Sequence, residues 1–476
     1  MNEREKENLA RWSALIHKLL PFADAATDRL PLSRLLRLSM FQVSAGMALV
    51  LLTGTINRVA IVELGVSASL ISFMVALPMV FAPLRTLLGH KSDNYVSAFG
   101  WRRGPFIWFG SMMQFGGLAI LPFALLILSG DAVGPIWTGH VGAALAFLLI
   151  GAGLHMAQTA GLALATDIAP ENVRPRVVAL LYVMLLVGMG ISAVIFGFLL
   201  RDFSQLKLIQ IIQGAAVATF GLNLIALWKQ EVQNRALTAP DRARKSFGEA
   251  WQQLIKTKDM PRLLTVIALG SVGFSMQDIL LEPYGGEILS LSVSSTTMLT
   301  GLFSLGALIG FAIAAKRLSQ GAQPFRLGGF GTLAGILAFS FVIMADPLHS
   351  TLLFQVGALL IGLSGGIFSV ATLTAMMAYA QDHDAGIVIG AFGAVQATAA
   401  GGAIALGGFL RDGISYLANT GMLGPAFDRD IAGYTFVYHL EILILFVCLV
   451  AIGPLARQVS PTQPSTDKFG LPAFPG

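Results

Sequence analysis

Few residues in this chain can do chemistry, and those few stand inside apolar sequence. Arg58, Asp278 and Glu282 interrupt long oily runs, where an ionisable group is costly and functional by default. Asp278 and Glu282 are one helical turn apart, so a helix carries both carboxyls on one face. Such groups can form a structural ion pair, hold a polar headgroup or carbonyl, or carry a proton; the spacing leaves all three open. His155 has Gln158 one turn later, and His439 stands beside Glu441. A neutral imidazole in such a setting either bonds to a neighbouring helix or ligates a metal through its free nitrogen. Gln42, Asn57, Gln114, Gln277 and Gln396 are further polar groups in apolar runs, suited to gluing helices together.

Enzyme chemistry is not expected. No phosphate-binding glycine loop occurs, and Gly151-Ala152-Gly153-Leu154-His155-Met156 fails the dinucleotide pattern at its last position. No cluster of metal ligands has workable spacing, so no metal held directly by the protein alone is expected. Cys448 is the single cysteine, which excludes a disulfide scaffold.

The elements that position these residues must be membrane helices. The chain has 476 residues, 55% of them apolar and only 12% charged, with a mean hydropathy of +0.73. Soluble domains carry about 25% charged residues, so this chain must be solvated by lipid. A bilayer core needs about 20 apolar residues per helix, and helices satisfy their own amides there. Twelve spans are predicted, at 38–62, 66–84, 105–128, 140–165, 177–200, 208–228, 263–284, 294–315, 327–345, 350–380, 386–410 and 434–456. The fold class is therefore all-α and polytopic.

Charge sets the expected orientation. With both termini cytoplasmic, the cytoplasmic tails and loops hold 26 Lys and Arg, against four outside: Arg201, Lys207, Arg411 and Arg429. The excess of 31 basic over 26 acidic residues then serves topology, and no nucleic-acid partner is expected. Residues 1–37 form a cytoplasmic segment without the pattern of a signal peptide. Leu9, Trp12, Ile16 and Leu19 there predict an interfacial helix. The longest polar interruption, 229–262, holds a capping box at Ser246 and Glu249 and an apolar stripe of Phe247, Trp251, Leu254 and Ile255. It separates a six-helix bundle at 38–228 from a second at 263–456, and a cytoplasmic tail follows at 457–476. The halves echo one another: Phe198-Leu199-Leu200-Arg201-Asp202 closes span five and Phe409-Leu410-Arg411-Asp412 closes span eleven. Parallel six-helix repeats around a central loop are a transporter plan. Glycine is abundant, with 52 residues, and Gly386, Gly390, Gly401, Gly402, Gly407 and Gly408 line one span. Their role is close helix packing or a smooth wall for a flat ligand.

The loop after span two reads Gly89-His90-Lys91-Ser92-Asp93, then Gly100-Trp101-Arg102-Arg103-Gly104-Pro105, and resembles the same loop of the major facilitator superfamily. There Gly89, Asp93, Arg102 and Arg103 would act as a cytoplasmic latch, Asp93 bracing Arg102 or Arg103. The matching loop of the second half, Lys316 to Arg326, has no acidic partner. The turn with Asp167, Pro170, Glu171, Arg174, Pro175 and Arg176 also resembles the superfamily and would brace the cytoplasmic gate. Pro21-Phe22-Ala23-Asp24-Ala25, Leu32-Ser33-Arg34-Leu35-Leu36-Arg37, Gly54-Thr55-Ile56-Asn57-Arg58-Val59, Ile61-Val62-Glu63-Leu64-Gly65 and Trp108-Phe109-Gly110-Ser111 narrow the match. Together they resemble the bacteriochlorophyll-delivery branch, the light-harvesting assembly factors of purple phototrophic bacteria.

The resemblance implies a major facilitator fold in the inner or intracytoplasmic photosynthetic membrane. It implies a chaperone-like assembly factor that binds bacteriochlorophyll as cargo and delivers it to antenna polypeptides, with pigment-synthesis enzymes and membrane lipids as further partners. His155, Gln158 and His439 become candidate pigment contacts, with the bacteriochlorin Mg held through His155. Spans one and seven line the central cavity in that fold, so Arg58 is expected to pair with Asp278 or Glu282 beside Asn57 and Gln277. A transporter of a small solute and a pigment-free antenna scaffold remain the alternatives.

Overall fold

The computed structural model describes residues 30–81, 101, 103–130, 135–170, 174–231, 252, 254–378, 385–424 and 431–457. Its helices are α1 (Leu32–Glu63), α2 (Ala68–Met79), α3 (Gly104–Leu128), α4 (Ile136–Ile168), α5 (Arg174–Leu199) and α6 (Gln205–Leu227) in the first half. The second half has α7 (Met260–Glu287), α8 (Val293–Ser319), α9 (Pro324–Ala345), α10 (Thr351–Ala378), α11 (Ala385–Asn419) and α12 (Ala432–Arg457). Among the described residues, eleven of these helices are long and apolar enough to cross a membrane, and α2 is shorter.

The described part of α2 tightens into a 3₁₀ turn over Leu77–Phe81, where Pro78 lacks an amide hydrogen, and its expected end at residue 84 lies outside the described residues. One boundary differs from expectation for a physical reason. Helix α11 does not stop at residue 410 but runs on to Asn419. Arg411, expected in a loop, stays helical because Glu287, Asp412 and the Tyr434 ring surround its guanidinium.

Two further helices depart from regular geometry. In α1, Val50–Thr55 and Val59–Glu63 are π-helical. The Thr53 hydroxyl donates to the Leu49 carbonyl and the Asn57 amide donates to the Thr53 carbonyl, both at 3.0 Å. Side-chain donors thus occupy carbonyls that α-helical amides would use, which loosens the winding. In α7, the α-helix ends at Ser275, passes through a 3₁₀ turn at Met276–Ile279 and resumes at Leu281. Such a break frees backbone groups that hydrocarbon cannot satisfy.

The halves meet along α1, α2, α5, α7, α8 and α11. Ile56, Val59 and Ile61 share one buried cluster with Ile279, Leu280 and Leu281. Towards the end of the bundle holding Leu35, the basic end, Ala165, Leu180, Ala314, Leu318 and Ile367 share another. Glycine lets the backbones touch. Gly46 of α1 lies against the Leu185 carbonyl of α5, and Gly188 answers against Val43. In the second half, Gly306 of α8 abuts the Leu359 carbonyl of α10, and Gly362 abuts the Phe303 carbonyl. Along α11, Gly401, Gly407 and Gly408 pack against Met79, Met276 and Ser72, whereas Gly402 faces open space. Only the helical backbone of Gly386 and Gly390 is described. Of the central-loop stripe, Leu254 is buried against Met260, Leu263, Met376 and Val388, and Ile255 points outward; Phe247 and Trp251 lie outside the described residues, as does the N-terminal helix.

These contacts predict opposite signs for two identical changes. Gly306→Ala drives a Cβ into the Leu359 backbone and is expected to cost about 1–3 kcal/mol. Gly402→Ala meets nothing and is expected to be neutral or stabilising by up to about 1 kcal/mol through helix propensity. Thermal unfolding of both variants in detergent checks this, and equal shifts would contradict the packing.

Candidate functional site

The break in α7 determines where the intramembrane polar residues go. Its freed Gln277 amide hydrogen is taken by Glu441 of α12, Oε1 at 2.8 Å. Its freed Ile279 carbonyl accepts from the Asn57 side chain of α1 at 2.7 Å. One peptide group is thus repaired from within the second half and the other from across the halves. Asn57, Gln277 and Glu441 are 1% exposed or less, so water cannot substitute. Glu441, noted in the sequence only as a neighbour of His439, is the residue sequence reasoning missed. Its position on α12 faces the break in α7, five helices earlier in the chain, which local spacing cannot reveal.

Arg58 does not pair as expected. Its guanidinium forms an ion pair with Glu63 of its own helix and donates to the Leu291 carbonyl at 3.1 Å. No ion pair joins it to Asp278 or Glu282 among the described residues. The π turn at Val59–Glu63 brings Glu63 back to Arg58, and the α7 break separates the two acids expected on one face. Asp278 bonds the Gln277 side chain, while Glu282, 3% exposed, accepts from Thr300 of α8. Gly54 makes room for that carboxyl, since a Cβ there would strike Glu282 Oε1. Beside it Thr55 and Thr297 share a hydrogen bond of 3.2 Å across the halves. The cross-half link of Arg58 is therefore to a backbone carbonyl rather than to a carboxylate.

At the end opposite the basic one, a second cross-half tie was not read from sequence. Asp412 of α11 accepts the Ser69 amide hydrogen at the start of α2, at 2.6 Å, as an acid at a helix N-terminus should. Its neighbour Arg411 pairs with Glu287, and Tyr434 donates to the same Glu287 at 2.9 Å. In the sequence Arg411-Asp412 stands out as a mark of the repeat, and Arg411 as an outer charge.

At the basic end, Arg103 Nε lies 3.1 Å from Asp167 Oδ2. Glu231 caps α3 by accepting the amide hydrogens of Arg103 and Gly104 at 2.9 and 2.7 Å, and Arg34 donates to the Gln230 side chain and carbonyl at 3.0 and 2.9 Å. These bonds tie α1, α3, α4 and the end of α6 within the first half. Gly89, Asp93 and Arg102 lie outside the described residues, as does Glu171.

The candidate pigment contacts separate. His155 is half-buried in α4. Gln158 is turned inward and donates to Gln42 of α1 at 3.0 Å, so its amide is engaged in joining helices. Gln114 is also an internal link, to Ser44 at 3.4 Å. His439 is exposed on the outer face of α12, with Nδ1 2.7 Å from the Thr435 carbonyl. A carbonyl can only accept, so Nδ1 is the donor in that bond, and in the neutral ring the lone pair is on Nε2. Phe436, Leu443, Phe446 and Val450, all exposed, share this face with it. No group of three or more His, Cys, Asp or Glu able to hold a metal ion occurs among the described residues.

The cap on the α7 break needs an acceptor, not a charge. Glu441→Gln is expected to stay close to the wild-type thermal midpoint, because an amide oxygen can accept the Gln277 amide hydrogen. Glu441→Leu strands that donor and is expected to cost about 1–3 kcal/mol. Thermal unfolding of the two variants decides; equal losses would point to charge instead.

Comparison with known proteins agrees with this architecture. Among solved structures, a D-xylose-proton symporter superposes with a TM-score of 0.68 at 14% identity, covering 91% of this chain and 98% of that one. At that identity the likeness is one of fold, that of a multi-pass membrane transporter. Two sequence relatives are much nearer. An uncharacterized protein from the puhA-bchM intergenic region of Rhodobacter capsulatus is 52% identical over 463 residues, 96% of this chain and 97% of that protein. Protein PucC of Rhodovulum sulfidophilum is 51% identical over 425 residues, 87% and 92% of the two chains. A family profile described as PUCC protein matches residues 55–459, a stretch that takes in the second π turn, the broken α7, its Glu441 cap and the His439 face, so the chain belongs to the PUCC protein family.

Proposed function

We propose that this protein is a light-harvesting complex assembly factor that holds bacteriochlorophyll and hands it to antenna apoproteins in the photosynthetic membrane. Family membership points to light-harvesting complex assembly. The pigment step rests on one observation, the exposed His439 with its ring oriented by Thr435 on an apolar helix face. A bacteriochlorin presents a Mg with an open axial position, a flat apolar macrocycle and a long hydrocarbon tail. An outward Nε2 lone pair suits the Mg, and Phe436, Leu443 and Phe446 suit the ring. A pigment bound there stays in hydrocarbon, where a single-span antenna polypeptide can reach it by lateral diffusion. This reading moves the preferred Mg ligand from His155 to His439, and no catalytic step is part of it.

What supports apolar cargo over a hydrophilic solute is the sealed contact between the halves. Arg58, Asn57, Gln277, Glu282 and Glu441 are 3% exposed or less and bond to helices. The same groups in a solute site would face water.

The expected outcome for protein purified gently from pigment-making cells is a bound bacteriochlorophyll absorbance. His439→Leu should lower it at least about tenfold, His439→Asn should recover part of it through an amide oxygen ligand, and His155→Leu should retain it. A preparation with antenna polypeptides but no pigment would favour the scaffold. Unchanged pigment in His439→Leu would remove His439 as the ligand.

A further inference from the structure

The break in α7 gathers oxygen atoms that the backbone repair does not use. Glu441 accepts the Gln277 amide hydrogen through Oε1 at 2.8 Å, but among the described residues its Oε2 has no hydrogen-bond partner. The side-chain carbonyl Oε1 of Gln277 and the Tyr438 hydroxyl have none either. All three residues are 1% exposed or less, so bulk water reaches none of them. Buried polar atoms are ordinarily paired, and three orphans beside one helix break call for one explanation.

These atoms belong to one neighbourhood. Tyr438 and Glu441 are three residues apart on α12 and share a face, and Tyr438 lies within electrostatic reach of the Glu441 carboxyl. Glu441 in turn lies within reach of the Asp278 carboxyl and beside the Met276 amide. The Gln277 side chain donates to Asp278 through Nε2, and the same carboxamide carries the orphan Oε1. Phe339 of α9 stacks on the Tyr438 ring at 6.2 Å and Phe274 packs against Phe339 at 6.5 Å, an apolar backing. Among the described residues no Lys or Arg forms an ion pair with Glu441 or Asp278, and His439, next in the chain, is on the exposed face. The cluster is rich in oxygen and carries uncompensated negative charge.

We propose that this cluster binds one alkali-metal cation, coordinated by Glu441 Oε2, Gln277 Oε1 and the Tyr438 hydroxyl oxygen, with Asp278 adding negative charge. Hard cations take carboxylate and carbonyl oxygens, and discontinuous membrane helices are where such oxygens collect. The other occupants explain less. A proton on Glu441 Oε2 satisfies that atom and one acceptor and leaves the third alone. A water molecule bridges the same atoms but leaves a carboxylate charge in hydrocarbon. One cation meets all three oxygens and the charge. Gln277 and Glu441 are 164 residues apart, so no ligand spacing announces the site in the sequence. The inference is independent of pigment binding.

Binding of radiolabelled sodium to the full-length protein in detergent and choline chloride buffer, read by scintillation proximity, tests this. The expected result is one saturable sodium per chain, displaced by unlabelled sodium and not by choline. Glu441→Gln keeps an acceptor for the Gln277 amide hydrogen and should weaken sodium about tenfold or more, because it removes the charged ligand. Tyr438→Phe should weaken it as well, and Asp202→Asn, exposed beyond the end of α5, should leave it unchanged. The thermal midpoints of wild type and Glu441→Gln should coincide in choline, and sodium should raise that of the wild type alone. Background counts in the wild type, unaltered binding in Glu441→Gln, or an equal loss in Asp202→Asn overturns the proposal. A midpoint that follows pH and ignores sodium overturns it too, in favour of a proton.

Discussion

Hydrocarbon offers no partner to a peptide group, and the rest of this structure is arranged around that constraint. Among the described residues, most of the helices meet it chiefly through their own ladders. The π-helical α1 and the broken α7 do not, and they face each other where the halves join. The repair of α7 uses a carboxylate from α12 and a carboxamide from α1. Because Asn57 serves both its own helix and the Ile279 carbonyl, the irregular winding of α1 and the break in α7 support each other across the seam. An unsatisfied peptide group at that depth costs several kcal/mol, more than either side-chain bond contributes net, so the polar residues of the seam are committed to backbone before any ligand is considered.

The same constraint explains what was legible in the sequence. Hydropathy measures the transfer of side chains, so the oily runs and the division at 229–262 could be read directly. Irregularity inside a span leaves hydropathy unchanged. Nothing in the run around Ser275 announces a break, and Thr53 and Asn57 look like ordinary small polar residues until their carbonyl partners are known. The expected pairing of Arg58 with Asp278 or Glu282 rested on regular helices. It failed for that reason: a turn of altered pitch rotates every residue beyond it. The glycines behaved similarly. Their abundance announced close packing, but only the structure separates Gly306, which touches backbone, from Gly402, which touches nothing.

Charges at the helix ends mark topology, the repeat and the expected latch in the sequence, and in the structure they also do local work. Asp412 and Glu231 each accept amide hydrogens at a helix N-terminus, one across the halves and one within the first. Both sit next to a cation, Arg411 or Arg103, which has its own acidic partner. An acid that caps a helix and a cation that anchors elsewhere fix two elements with adjacent residues, an economical way to hold short loops rigid. The tie at Asp412 and the one at Arg58 close the same end of the bundle. That closure leaves the lateral, lipid-facing surface as the side of the molecule open to apolar partners.

The proposed preference for His439 over His155 follows from what an axial ligand needs, and position within a span does not supply it. His155 stands nearer the middle of its helix, and a central histidine seems the more deliberate. What an axial ligand needs is a fixed tautomer, an outward lone pair and room for a macrocycle about 10 Å across, a width comparable to a whole helix. A closely packed interior grants the first and denies the last. On the outer face of α12 the Thr435 carbonyl supplies orientation from the preceding turn, so the ring is held without being enclosed. Under the proposed hand-over of pigment, an open face has a second advantage. Transfer would then require exchange of one axial ligand and of apolar contacts for similar ones, with no opening of the two halves.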